Sequence, residues 1–337
     1  MNDIDTVREQ FALLFGEPAQ SIQPLSAHAS ARRMLRVTGS KGPVIAVLNS
    51  NQVENKAFIQ FTTHFKSFGL PVPEIYHEVP ELGLYFEQDL GDQTLYDLLN
   101  STRSSSEPFP KKVLSLYSDA LSLLAKFQID AGATFNYSWC HQFPEYGLES
   151  MLTDMFAFRE QFLKRVDSSL VTKEIDAEFK EIADLLLRAD SKYFLYRDFQ
   201  SRNIMVKDDQ LFFIDYQGGR RGALQYDVVS LLYQASAKIP EVDRKALLED
   251  YLDTVSAMIP IDRKIFLLYY QAFLASRMMQ VLGVYGKQGL EQGKEYFRNN
   301  IPSALETLHT TLNSSSWPLE SSGLKRCVEI CVERFPV

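Results

Sequence analysis

The sequence predicts an α+β fold in two lobes, a small β-rich N-terminal lobe and a larger helical C-terminal lobe. Three observations carry this. Most short apolar runs of the first ninety residues are bounded by turn residues, as strands are. From Thr94 onward the apolar spacing becomes mainly helical. One compact strand-and-loop insert, between about residues 193 and 215, interrupts that helical half. The expected division is 1–90 and 91–337.

In chain order, residues 3–16 read as a helix, because Ile4, Val7, Phe11, Leu14 and Phe15 share one face and Gly16 with Pro18 stops it. Strands are expected at 32–37 and 43–48 around the turn Gly39-Ser40-Lys41-Gly42. A helix at 52–69 carries Phe58, Phe61, Phe65 and Phe68 at spacings of three and four, and strands at 74–79 and 83–88 follow. Helices are expected at 93–100, 110–130, 147–167 and 172–189, with the serine-rich 101–106 as a loop between two of them. The insert reads as strands at 193–196, 204–206 and 211–215, with Asp208-Asp209 as a hairpin turn. Helices resume at 225–238, 241–258, 262–284, 289–312 and 322–334.

Composition bounds the function. The 337 residues carry a net charge of −8, which argues against nucleic acid or an anionic membrane surface as the main partner. Neither a signal-peptide pattern nor an apolar run approaching the roughly 18 residues of a membrane span is expected, so the reading is a cytoplasmic protein. Three cysteines, Cys140, Cys327 and Cys331, fit a reducing compartment. Cys327 and Cys331 read as buried thiols on one helical face, since a zinc site wants four ligands.

The reactive groups of the insert are Asp198, Asn203 and Asp215. Asp198 and Asn203 flank a loop that opens one strand, and Asp215 ends that strand's partner. Pairing of the two strands would bring Asn203 and Asp215 to one end of the hairpin. Two hard oxygen ligands beside a separate carboxylate suit Mg²⁺-assisted phosphoryl transfer. The metal bridges nucleotide phosphates and the carboxylate takes the proton of an attacking hydroxyl.

Arg197-Asp198 followed by Asn203 resembles the catalytic loop of protein kinases and their small-molecule relatives. Ile214-Asp215 resembles the metal-binding segment of the aminoglycoside and choline phosphotransferases. The resemblance implies a protein-kinase-like fold, ATP and Mg as cofactors, Asp198 as base, and Asn203 and Asp215 as metal ligands. Residues 1–90 become the nucleotide-binding lobe and 91–337 the catalytic and substrate lobe. The segment Gly222-Ala-Leu-Gln-Tyr-Asp227 is similar to one in which the Asp hydrogen-bonds the catalytic loop. Two departures stand out. The His that often precedes Arg-Asp is Tyr196. The strand 43–48 has no Lys for the α- and β-phosphates, though Lys41 and Lys56 flank it. Either an Arg or a neighbouring Lys takes that place, with Glu54 as its helix partner, or nucleotide binding is weakened.

The remaining nucleotide contacts are expected from the glycine-free loop at 26–33, where Ser30 can bond phosphate and Arg32 or Arg33 can pair with it, the alternative being a polar turn with one Arg on the surface, and from the segment joining the lobes, where adenine meets backbone near Glu87 and Gln88. The segments Ala29-Ser-Ala-Arg-Arg33, Asp89-Leu-Gly-Asp92, Asp198-Phe-Gln-Ser-Arg-Asn-Ile-Met205 and Arg277-Met-Met-Gln-Val-Leu-Gly-Val-Tyr285 most resemble the anomeric kinases of N-acetylmuramate and N-acetylglucosamine. That implies a small-molecule partner, an amino sugar. Gln200, Arg202, Gln217 and Arg220, with Arg221, are its candidate polar contacts. Tyr216, Phe156 and Phe158 are candidate rings, the two Phe reading better as helix core. The alternatives are a choline- or aminoglycoside-type amino alcohol as substrate, and a pseudokinase that senses nucleotide without transfer. A protein substrate is disfavoured by the short stretch between Asp215 and the helix near Leu224.

Overall fold

The computed structural model describes residues 3–25 and 32–336. Helix α1 (Asp3–Phe15) precedes five strands, β1 (Ser21–Pro24), β2 (Arg33–Gly39), β3 (Gly42–Leu48), β4 (Ile75–Val79) and β5 (Leu84–Gln88), with α2 (Gln52–Ser67) between β3 and β4. The strands form one antiparallel sheet in the order β1-β2-β3-β5-β4. Its two faces follow the period of two. Leu35, Val37, Val44, Ala46, Leu84 and Phe86 meet Val7 and Phe11 of α1, while Ile45, Val47 and Tyr85 join Phe58, Phe61 and Phe65 of α2 in the main core. Glu87, two residues beyond Tyr85, is carried on the α2 side. Asn51 caps α2 by accepting from the Glu54 N–H at 3.2 Å, and this fixes where Glu54 enters the helix.

The larger part is helical: α3 (Leu95–Thr102), α4 (Lys111–Lys126), α5 (Leu148–Phe158), the single turn α6 (Lys164–Val166), and α7 (Lys173–Leu186). After the insert come α8 (Gln225–Leu232), α9 (Glu241–Met258), α10 (Arg263–Tyr285), α11 (Glu295–Asn299), α12 (Ile301–Leu312) and α13 (Ser322–Arg334). The insert holds β6 (Tyr193–Leu195), β7 (Ile204–Lys207), β8 (Gln210–Phe213) and β9 (Arg220–Gly222), with β7 paired to β8 and β6 to β9. The lobes are tied by Arg36 of β2, which donates to Asp92 at 2.8 Å while also gripping Asp89 at 2.5 and 3.0 Å, and by Lys207 Nζ, which donates to the Asp89 carbonyl at 2.9 Å.

Several expectations are corrected. β1 and β9 are additional strands, and β8 ends at Phe213, so Asp215 lies beyond it. The helices expected at 110–130 and 147–167 each contain a π turn, Phe127–Ala131 and Arg159–Leu163. The stretch 289–312 is broken into the end of a third π turn, α11 and α12, with Pro302 in the first turn of α12. By length and composition one helix among the described residues, Arg263–Glu291, is apolar enough to cross a membrane, which the sequence reading did not expect. Its most apolar window is 61% buried inside the protein, as the core helix of a folded lobe would be.

Candidate active site

The catalytic loop is built from its backbone outward. Asp227, buried on α8, accepts from the N–H groups of Tyr196 (2.7 Å) and Arg197 (2.9 Å) and from Gln128 Nε2 (3.2 Å), as the resemblance implied. Burial pushes its carboxyl up to about 7 against the pull of those three bonds. The two backbone bonds pin Arg197 in a left-handed turn, φ +83°, that an arginine adopts only at a cost of about 1–3 kcal/mol. The Arg197 guanidinium is anchored by Asp154 at 2.7 Å, by the Tyr226 hydroxyl, and between the rings of Tyr146 and Tyr226. The turn leaves the next side chain, Asp198, 40% exposed.

Asn203 and Asp215 meet at the same loop. Asn203 Nδ2 donates to the Asp198 carbonyl at 2.9 Å and to Asp215 Oδ2 at 3.3 Å. Asp215 also sits in a left-handed conformation, φ +66°. Tyr196, in the place of the expected His, donates its hydroxyl to the Ile214 carbonyl at 2.6 Å and so ties this turn to the catalytic loop. The second Asp215 oxygen, Oδ1, accepts from Arg32 Nη2 at 2.7 Å and Gln217 Nε2 at 2.9 Å. A divalent cation fits this donor set. Asn203 and Asp215 offer hard oxygens, and Gln217 Oε1, buried beside them, has no partner among the described residues.

The cations around the Lys-free strand divide. Lys41 and Lys56 are both exposed. Arg32, in contrast, places Nη2 3.5 Å from Glu54 Oε1 as well as on Asp215. Burial works against its charge, but Asp215, Tyr85 and Glu54 outweigh that and hold it firmly protonated. Arg33 does not join the site: its exposed side chain pairs with Asp3. Ser30 lies outside the described residues. Glu87 is buried with Oε2 unpartnered among the described residues, and burial pushes its carboxyl up to about 8 although Arg32 opposes this. The Gln88 N–H donates to the Glu74 carbonyl at 2.8 Å.

The candidate substrate residues divide. Gln217 belongs to the Asp215 cluster and also donates to Glu54 at 3.3 Å. Gln200 lends its carbonyl to the Asn203 N–H at 2.8 Å. Arg202 is sandwiched between Tyr96 and Tyr296, 3.9 and 4.2 Å from their centroids. Arg220 is buried and bonded to the Gly218 carbonyl and to Gln142, while Arg221 stacks on Tyr137. Tyr216 is no sugar platform, since it is fully buried, stacked on Phe58 and bonded to Thr62. Phe158 is core, and Phe156 lies under Arg159. Sequence reasoning missed Asp154 and Arg277. Arg277 Nη2 stands 3.7 Å from Asp198 Oδ1, and the side chain is 3% exposed. Its signal was present: it is the one charge between Lys264 and Lys287.

Comparison with known proteins gives this geometry its family. The model of the Phosphotransferase enzyme family matches residues 21–261. The chain belongs to that family. An N-acetylmuramate/N-acetylglucosamine kinase from Pseudomonas aeruginosa is 26% identical over 303 residues, 88% of this chain and 85% of that one. A choline kinase from Cryptosporidium parvum superposes with a TM-score of 0.63 at 13% identity, covering 96% of this chain and 100% of its own. An amicoumacin kinase in complex with AMP-PNP and Ca²⁺ gives 0.61 at 12% identity, covering 96% and 97%. The fold is therefore kinase-like, and this family member is a small-molecule kinase.

Proposed function

We propose that this kinase transfers the γ-phosphoryl group of ATP to a hydroxyl of an amino sugar, with the N-acetylmuramate/N-acetylglucosamine pair as the best substrate class. The observation that carries the reading is the convergence of Asp198, Asn203 and Asp215 on one loop, locked by the two Asn203 bonds. Asp198 takes the proton from the attacking hydroxyl as its oxygen bonds the γ-phosphorus, and ADP leaves with the broken P–O bond. Mg²⁺, held by Asn203 and Asp215, would neutralise charge on the phosphates. The sugar assignment is supported by the named relatives and by the arginines near Asp198. Arg197, Arg220 and Arg277 make a poor seat for a choline-like cation, which wants an acidic or aromatic cage.

A ³¹P NMR screen with ATP and Mg²⁺ tests this, offering N-acetylmuramate, N-acetylglucosamine, choline and an aminoglycoside. The expected result is a sugar-phosphate resonance that grows with ADP. Turnover on choline or the aminoglycoside alone would overturn the sugar assignment. Nucleotide binding without turnover on any acceptor would favour a sensor that has lost transfer.

A further inference from the structure

The proposed metal ligand Asp215 is already engaged, and the group on it is a cation. Arg32 Nη2 sits 2.7 Å from Oδ1, on the carboxylate that the proposed function gives to Mg²⁺. We propose that Arg32 is an exchangeable counter-ion: it holds Asp215 in the metal-free enzyme, then moves onto the nucleotide phosphates when metal takes the carboxylate, keeping Glu54 as its anchor. This rests on Asp215 being the metal ligand and on the nucleotide lying beside it.

Three observations support the exchange. First, a guanidinium and a dication repel each other, so one carboxylate is a poor site for both. Second, Arg32 has a second carboxylate to stay with, Glu54 at 3.5 Å on α2. The five N–H donors of an arginine allow one edge to remain on Glu54 while another meets phosphate. Third, the strand that would carry a phosphate-binding Lys has none, and Lys41 and Lys56 point into solvent. Gln217, donating to both Asp215 and Glu54, bridges the two carboxylates and keeps them apart when the cation leaves.

The exchange predicts effects of opposite sign, which a simple phosphate contact does not. Mn²⁺ binding is read by EPR, first with the metal alone and then with a non-hydrolysable ATP analogue. Wild type is compared with Arg32→Met, Arg32→Gln and Asp215→Asn, the two Arg32 variants giving two independent chances of a folded protein. Removing the guanidinium should tighten Mn²⁺ alone about tenfold, the scale of one charge-assisted hydrogen bond, and should weaken the metal–nucleotide complex by a similar factor. Unchanged affinity for Mn²⁺ alone would overturn the exchange and leave Arg32 a phosphate contact only. Tightening of both would overturn it in the other direction, making Arg32 a latch. Asp215→Asn reports separately on the parent reading. Wild-type Mn²⁺ binding in that variant would remove Asp215 as the ligand, whatever Arg32 does.

Discussion

At the scale of single residues, the site depends on groups that never reach a substrate. Tyr196 is fully buried, and its hydroxyl satisfies the Ile214 carbonyl at 2.6 Å. Tyr196→Phe keeps the ring but leaves that carbonyl without its donor, which should lower stability by about 1–3 kcal/mol. Urea unfolding monitored by circular dichroism reads this directly, and an unchanged midpoint would mean that the carbonyl finds another partner. Asp198 behaves differently. It is 40% exposed and outside the apolar core. Asp198→Asn should therefore leave the melting transition near that of wild type while reducing kcat by about 10²–10⁴-fold, the range for loss of a general base. A variant with wild-type kcat on the true acceptor would remove Asp198 from the role of base.

At the scale of elements, the two π turns Arg159–Leu163 and Gly286–Glu291 pack against each other, and a glycine sets their distance. A Cβ on Gly286 would lie 2.0 Å from the Gln161 carbonyl oxygen. Backbone cannot swing away as a side chain can, so Gly286→Ala should cost about 1–3 kcal/mol by overpacking. Because α10 also carries Arg277, 3.7 Å from Asp198, the same substitution should lower kcat/KM for the acceptor. A thermal melt equal to wild type would show that the two turns separate freely. These turns also mark where the sequence stops being readable. A π turn keeps helical spacing on both sides, so 110–130 and 147–167 read as unbroken. β1 and β9 are short and polar, and they are strands only because β2 and β6 supply their partners. The loop residues Asp198, Asn203 and Asp215 were legible because their spacing is local. Asp154 with Arg197, Arg32 with Asp215, and Arg277 with Asp198 are pairs of distant segments, and no local pattern announces a partner 183 residues away.

At the scale of the whole molecule, the buried acids give folding a pH dependence that runs against the common trend. Glu87 goes from an ordinary carboxyl near 4.5 to about 8 in the fold, and Asp227 from 3.8 to about 7, both mainly through burial. Across that window the folded chain binds protons that the unfolded chain has released, so stability falls as pH rises, and the loss is complete above about 8. Asp167 works the other way. Its bonds to Ser169 and Arg334 hold it down at about 2, so its contribution is lost only as pH falls from 3.8 toward that value. The groups facing Glu87 are Arg32, Tyr85 and Tyr216. Of these Arg32 alone favours the charged form, and it is shared with Glu54 and Asp215. Glu87→Gln removes one titration while keeping shape and polarity. Its urea midpoint should match wild type near pH 5 and exceed it near pH 8, by on the order of a few kcal/mol at most. If the variant loses stability toward pH 8 as steeply as wild type, the burden lies on Asp227 and not on the carboxyl behind the proposed nucleotide site.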